Sequence, residues 1–385
     1  MQLSSRTLNQ IDSPISTAYA LVDLREDTRD LLDLAQAAPQ YPAAPEVVAH
    51  IVQVARDAHG GDYTEVPGLP ALRRAFAAEL SRDYAGVVEP ANVVVTAGCN
   101  QAFSLVADAL AGPGDEVVMP LPYYFNHDMW LRMRGVRPVY LDPDAGLVPR
   151  AADAEPLITP RTRAIVLITP GNPSGVTIPP AEIAAFAALA RRHDIALILD
   201  ETYRSFRDTR EPAHALFADP AWRSTVVSLH SYSKDLAIPG YRVGCVVAAP
   251  ELNREVLKLM DCVAICSPRI GQEAALAGLT RAGGWRKERV AEIARHRTWL
   301  GEALATRPGG FEAVSCGGFF AWVRHPFTDR PTSDVVRDLM VDHDTLVIPG
   351  TAFLPDDRRM LRISAGRVDE AAAAVLAARL TAAGR

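Results

Sequence analysis

Lysine occurs only at positions 234, 258 and 287 of this 385-residue chain, and the rest of its 40 basic residues are arginines. Arginine cannot form an imine with an aldehyde or titrate near neutrality, so amine chemistry has three candidates. Lys258 lies in the charged stretch Glu251–Met260, and Lys287 sits in Arg286-Lys287-Glu288-Arg289. Both read as solvated helix faces. Lys234 differs. It follows a Val- and Leu-rich run, is flanked by hydroxyls in Ser231-Tyr232-Ser233-Lys234, and has no acid four residues on. A partly desolvated lysine has a lowered pKa and is a nucleophile toward aldehydes. Ser231 and Arg242 (the latter in Pro239-Gly240-Tyr241-Arg242-Val243-Gly244) would supply donors for a phosphate monoester.

Three further stretches carry polar groups that could serve such a site. Gly98-Cys99-Asn100 opens a helix, where free N–H groups and the dipole suit a phosphate; the same residues also make an ordinary strand-to-helix turn. It is neither GxGxxG nor a P-loop. Asp200 ends the apolar run Ala-Leu-Ile-Leu, so its carboxylate needs a partner such as a cation or a protonated ring nitrogen, unless it simply caps a helix. Asn172 lies in Pro170-Gly171-Asn172-Pro173-Ser174-Gly175, and Tyr124 in Pro122-Tyr123-Tyr124-Phe125.

The elements that must position these residues are short apolar runs at 92–96, 116–119, 138–141, 164–169, 195–200, 225–229 and 243–249. Each is rich in Val and Ile and bounded by Gly, Pro, Asp or Ser, as expected of strands buried on both faces. Helical stretches lie between them, one over 180–193 with Ile183, Phe186, Leu189 and Ala190 on one face. Seven such strands with interleaved helices predict an α/β fold: a mainly parallel seven-stranded sheet flanked by helices. After about 275 the texture changes to helical 281–306, a Gly-rich stretch at 316–323 and an Ala-rich helix over 368–383, which predicts a smaller α+β domain. The expected division is an N-terminal arm over 1–45 that joins the small domain, a large domain over 46–275 and a small domain over 276–385. In a parallel sheet the ligand lies beyond the carboxyl ends of the strands, where all of these polar residues fall.

In order and spacing, Tyr63, Gly98-Cys99-Asn100, Pro122-Tyr123-Tyr124, Asn172, Asp200 with Tyr203, Ser231 to Lys234, Arg242 and Arg362 resemble a fold-type I pyridoxal-phosphate enzyme of the class I/II aminotransferase family. The resemblance spans about Ala35 to Arg362. It implies the type I pyridoxal-phosphate transferase fold and an aminotransferase that moves an amino group from an L-amino acid to a 2-oxo acid by a ping-pong cycle. It implies that Lys234 holds pyridoxal 5′-phosphate as an internal aldimine and moves the substrate's proton. Asp200 would pair with the pyridinium nitrogen, and Asn172 and Tyr203 with the phenolic oxygen. Tyr124 would stack on the ring. The phosphate would lie on Gly98, Cys99, Asn100, Ser231 and Arg242, with Tyr63 reaching across from the second subunit of a homodimer. Arg362 would grip the substrate carboxylate, with Asn172 and Ala37 beside it. Glu201 and His230 adjoin the motifs and read as structural.

The chain also departs from that pattern. Ala37 stands where the family often has Gly, and Leu354 follows Pro349-Gly350-Thr351-Ala352-Phe353 where Gly is common. The stretch 261–268, where aspartate-type members carry a second arginine, has none, although Arg269 follows. This weighs against strict aspartate specificity, and Phe125, Tyr41, Tyr241, Phe320 and Trp322 are candidates for an apolar or aromatic-tolerant pocket. Elimination, decarboxylation, oxidation or cyclisation would use the same Lys, Asp and Asn. A regulator is disfavoured, because only about 45 residues precede the core and they hold no helix-turn-helix pattern. The net charge is −6 with no basic run, so no nucleic-acid partner is expected. Five scattered cysteines without a CxxC make structural zinc unexpected, and no metal is expected. No stretch approaches 18 apolar residues and residues 1–16 lack a secretory pattern, so a cytoplasmic protein with no membrane partner is expected.

Overall fold

The computed structural model describes residues 1–25, 29–209 and 211–385; positions 26–28 of the expected arm therefore lie outside the described residues. The seven apolar runs form one sheet: β1 (Val93–Thr96), β2 (Glu116–Pro120), β3 (Arg137–Leu141), β4 (Thr162–Ile168), β5 (Ala196–Asp200), β6 (Val226–Ser231) and β7 (Gly244–Val247). The spatial order is β1-β7-β6-β5-β4-β2-β3. Only β7 runs antiparallel to its neighbours, so β1, β2, β4, β5 and β6 deliver their carboxyl ends to one edge.

Continuous Val, Ile and Leu runs make this possible, because successive side chains enter cores on opposite faces. Val93, Val95, Ile165, Leu167, Leu197 and Leu199 join one core with Phe76, Phe186 and Ala274, from the helices α1 (Pro70–Asp83), Pro180–Arg192 and Arg269–Arg281. Val94, Val117, Val166, Ile198, Val227 and Leu229 join the other with Phe103 and Leu131, from α2 (Cys99–Leu110) and α3 (Phe125–Arg134). Helix Arg269–Arg281 runs through position 275, so the expected division falls inside a helix packed on the large sheet.

The C-terminal part carries α4 (Gly283–Ala305), then an antiparallel sheet of β8 (Glu312–Gly317), β9 (Phe320–Arg324), β10 (Ile348–Pro349) and β11 (Met360–Ser364), ordered β10-β11-β9-β8. The closing helix is Glu370–Ala383. Leu32–Asp33 pairs in parallel with Thr345–Leu346, and the Ser364 amide donates to the Leu34 carbonyl at 2.9 Å. These bonds lay the segment around Ala35 to Ala37 beside β11, where it meets the mouth of the large sheet.

Candidate active site

The residues singled out by sequence converge on a cleft of about 150 Å³ at the carboxyl edge of the large sheet. Ala37, Cys99, Asn100, Tyr124, Asn172, Asp200, Tyr203, Ser231, Lys234, Arg242 and Arg362 line it, drawn from six separate connections and from β11.

At one end, Gly98 caps α2 with φ of 85°, a left-handed conformation that favours glycine. A Cβ there would lie 2.4 Å from Arg242 Nη2, so glycine also leaves room for the guanidinium. Arg242 Nη1 donates to the Pro239 carbonyl at 2.8 Å, and Ser231 Oγ accepts the Ser233 amide at 3.1 Å. The helix starts at Cys99, so the Cys99 and Asn100 amides belong to its open first turn. A guanidinium, a hydroxyl and free amides around a helix N-terminus form an anion cradle. Burial and the nearby Asp200 push the Cys99 thiol well up, so it stays neutral.

Asp200 occupies the floor. Its Oδ1 accepts the Thr202 amide at 2.9 Å, and its Oδ2 lies 3.4 Å from His127 Nε2. Burial pushes the carboxylate up, but His127 and Thr202 outweigh it and hold the group below its ordinary range. His127 stacks on Phe103 at 3.8 Å between ring centroids and meets the Tyr124 ring edge-on at 5.1 Å. Neither of its ring nitrogens makes an aligned hydrogen bond among the described residues. The Tyr124 hydroxyl is tethered to Asn126 Oδ1 at 2.8 Å, which fixes the ring at the cleft wall.

The Lys234 amine has no hydrogen bond to protein among the described residues. Burial, with Arg362 and Arg242 adding repulsion, lowers its pKa from 10.5 to about 8. An amine that is neutral in a useful fraction near neutrality is a nucleophile. Arg362 is buried at the opposite wall. Its Nη1 donates to Asn172 Oδ1 at 3.0 Å, its Nη2 donates to the Ala35 carbonyl, and its guanidinium carbon lies 5.1 Å from the ring centres of both Phe320 and Phe353. Nε has no partner among the described residues, and burial lowers the guanidinium to about 10. This is a cation held ready for an anion in a site poor in water.

Tyr63 does not join the cleft; it is 76% exposed in this single chain. Of the five aromatic residues read as a tolerant pocket, Phe125 alone lines the cleft, while Phe320 lies against Arg362, Tyr41 against Trp285 and Trp322 against Phe353. Arg269 lies 3.7 Å from Glu273 on its own helix and does not line the cleft. Sequence reasoning missed His127, Thr202, Ile15 and Gln36. His127 follows Tyr124 by three residues on α3, a one-turn spacing that could have flagged it; Ile15 and Gln36 carry no local signal. Among the described residues no cluster of His, Cys, Asp or Glu could hold a metal ion, and no helix is long and apolar enough to cross a membrane.

The aminotransferase class I and II pattern matches residues 29–380. An aromatic aminotransferase of Arabidopsis thaliana is 30% identical over 98% of this chain and 95% of its own length. The arginine–pyruvate transaminase of Pseudomonas aeruginosa is 32% identical over 88% of this chain and 86% of its own. Among solved structures, an aspartate aminotransferase of Thermus thermophilus, a single mutant, superposes with a TM-score of 0.90 at 26% identity, covering 100% of both chains. Another aminotransferase, from Mycobacterium tuberculosis, gives 0.89 at 26%, covering 99% of this chain and 98% of its own. Sheet order, cleft and relatives agree: the chain belongs to the aminotransferase class I and II family.

Proposed function

We propose that this protein is a pyridoxal-phosphate-dependent aminotransferase that moves an amino group from an L-amino acid to a 2-oxo acid in a ping-pong cycle, with Lys234 as the lysine that captures the cofactor. The observation that carries this is the meeting of three groups in one cleft: the lowered amine of Lys234, the buried carboxylate of Asp200 and the anion cradle of Gly98 and Arg242. They fit the cofactor's aldehyde, ring nitrogen and phosphate, and the room beside Gly98 that a Cβ would close supports the last. When bound, pyridoxal 5′-phosphate supplies an aldehyde for amines and an electron-poor ring that accepts the electron pair left on the substrate Cα.

The chain's own residues set up that chemistry. Asp200, anionic and buried, holds a proton on the ring nitrogen. Asn172 spends Oδ1 on Arg362, so its Nδ2 is left to donate to the phenolic oxygen. Burial raises the Tyr203 hydroxyl far above its ordinary pKa, which keeps it a donor to the same oxygen. Tyr124 packs against the ring. Ser231, Arg242 and the Cys99 and Asn100 amides bind the phosphate. Arg362 binds the substrate carboxylate in a planar fork that a lysine could not reproduce. Lys234 Nζ, once displaced, would take the proton from Cα and deliver it to the cofactor carbon that carried the aldehyde, two atoms along.

Ile15, Ala37 and Phe125 beside this wall support a neutral or apolar side chain on the donor. Lys234, Arg242 and Arg362 are the only cations lining the cleft among the described residues, which speaks against a dedicated carboxylate site in this chain. The exposed Tyr63 supports a homodimer in which it reaches a partner's phosphate site. We place the enzyme in the cytoplasm. The test is the visible spectrum of the cofactor-loaded protein as amino acids are added singly without any oxo acid. Stable conversion to a pyridoxamine-type spectrum with one donor supports transamination and names the donor. Recovery of the starting band with release of ammonia shows a lyase or oxidase instead.

A further inference from the structure

The cleft residues have neighbours in sequence that form a second buried layer behind them. Asp235 follows Lys234, and Arg204 follows Tyr203. Asp235 Oδ2 accepts Arg286 Nη2 at 2.6 Å and Nε at 3.0 Å. The same guanidinium donates to Glu79 at 2.7 and 3.1 Å. Glu79 in turn accepts Arg204 Nη2, whose other nitrogen reaches Asp83 at 3.2 Å. The result is a chain of alternating sign, Arg204–Glu79–Arg286–Asp235. It joins the turn after β5, helix α1, the first turn of α4 and the loop after β6. Glu79 is 5% exposed and Asp235 8%. None of the four lines the cleft.

This arrangement bears on the amine, because among the described residues Lys234 Nζ has no hydrogen bond that would hold it. The backbone bonds nearest to it are those of the Leu236 amide to the Tyr232 carbonyl at 3.1 Å, the Ile238 amide to the Ser233 carbonyl at 3.2 Å, and a longer one at 3.4 Å from the Ala237 amide to the Lys234 carbonyl. A charge-assisted fork on the adjacent carboxylate is a stronger and more directional anchor than any of these. It grips the loop one residue from the amine and leads to Arg204, one residue from Tyr203. Simple stabilisation of the fold would not require both ends of the chain to adjoin cleft residues.

The geometry points to Asp235 and Arg286 as positioning residues that set the placement of the Lys234 amine and, through Glu79 and Arg204, of Tyr203. This rests on the reading of Lys234 as the residue that captures pyridoxal phosphate. The test uses cofactor-free full-length wild type, Asp235→Asn, Arg286→Lys, their double variant, and Lys258→Met as a surface control. Pyridoxal 5′-phosphate is added, and capture is followed by its visible band and by the mass of borohydride-trapped protein across pH, with thermal unfolding measured in parallel. The charged and titratable groups facing the amine are Arg242, Arg362, Asp200, Cys99, Tyr124 and Tyr203, and all of them are kept in every variant.

Capture by folded Asp235→Asn is expected to slow about tenfold to a hundredfold. Its midpoint against pH should rise by about one unit, because a less confined amine is better hydrated. Arg286→Lys should do the same, and the double variant should be no worse than the poorer single one. Lys258→Met should match wild type. Variants that unfold at lower temperature yet capture at the wild-type rate and midpoint would show a purely structural role and overturn the proposal. If Asp235→Asn does not fold, Arg286→Lys, which keeps the charge and loses the fork, is read by the same criteria. Wild type that captures no cofactor would overturn the Lys234 reading, and the positioning role with it.

Discussion

Replacing Lys234 by Met should make the cofactor-free protein more stable, not less. The amine ionises at about 8 in the folded chain against 10.5 when unperturbed. A drop of that size, at about 1.4 kcal/mol per unit, means that burying the protonated amine, with Arg362 and Arg242 beside it, costs folding about 3 kcal/mol at neutral pH. The sign follows from proton counting. Below the folded pKa both states carry the proton, and the whole cost is present. Between about 8 and 10.5 the folded amine releases its proton while the unfolded one keeps it, so stability rises with pH. Above 10.5 both are neutral and the cost is gone. Met is close in volume and carries no charge, so Lys234→Met removes the cost and the pH dependence together. Urea unfolding at matched protein concentration should show the variant ahead by about 2–3 kcal/mol at pH 7, with the gap closing as pH approaches 10.5. Added pyridoxal 5′-phosphate should reverse the order, since a ligand at a hundred times its dissociation constant stabilises by about 2.7 kcal/mol and only wild type can capture it covalently. A variant no more stable than wild type at pH 7, or a gap that does not change with pH, would refute the reasoning.

Three further expectations follow from the same geometry. Arg362→Lys keeps a positive charge but loses the fork and leaves either Asn172 Oδ1 or the Ala35 carbonyl unpaired. It should lower kcat/KM for an amino acid by about 2–4 kcal/mol, a factor of roughly thirty to a thousand, and change little for the matching amine without a carboxylate; equal losses on both substrates would remove Arg362 from carboxylate binding. Gly98→Ala forces a Cβ to within 2.4 Å of Arg242 Nη2 at a φ of 85°. Pyridoxal phosphate affinity, measured by spectroscopic titration, should fall at least about tenfold, from strain of roughly 1–2 kcal/mol with loss of an anion contact, and an unchanged affinity would move the phosphate elsewhere. Asp200→Ala should still capture the cofactor at Lys234 yet turn over about a hundredfold or more slower; near-normal turnover would mean that the ring nitrogen has another partner.

What the sequence made legible was what depends on near neighbours. The seven strands showed as short Val- and Ile-rich runs closed by Gly, Pro, Asp or Ser, and each lies within a few residues of its place in the sheet. Lys234 stood out because Lys258 and Lys287 sit among charges, and Lys258 indeed pairs with Glu255 at 2.8 Å on an exposed face. Gln36 was not legible, because it reaches the cleft through long-range pairing of Leu32–Asp33 with Thr345–Leu346, and neither was Ile15, whose helix Pro14–Ala20 carries no local mark of the site. His127 was missed because its one-turn spacing from Tyr124 gains meaning only once Asp200 is known to lie against it. The direction of β7 was equally hidden, since an apolar run reads the same both ways; the register with β1 and β6 decides it.

The pairing of a cleft layer with a back layer has a simple origin in the two-residue period of a strand. Ile198 enters the core of Phe103, and two residues on Asp200 faces the same side, toward Tyr124 and His127. Leu199 enters the core of Phe76, and two residues on Glu201 faces that side instead. There it accepts Ser228 Oγ at 2.5 Å and Tyr84, and lies 3.4 Å from His214. β6 repeats the pattern. Leu229 and Ser231 face the cleft side, while Ser228 and His230 face the back, joined to each other at 2.8 Å. Burial pushes His230 down to about 4, so the histidine is neutral at ordinary pH, while His214 and the Ser228 hydroxyl offset the burial of Glu201 and hold it below its ordinary range. The two carboxylates, adjacent in sequence, therefore meet opposite demands. Glu201 has its acceptors filled by protein donors and is spent within the fold. Asp200 has one oxygen bonded to an amide and the other facing a poorly aligned imidazole, so it keeps capacity for a cation that the chain itself does not provide. That difference in satisfaction, more than burial or charge, is what sets the carboxylate proposed to meet the ring nitrogen apart from its neighbour.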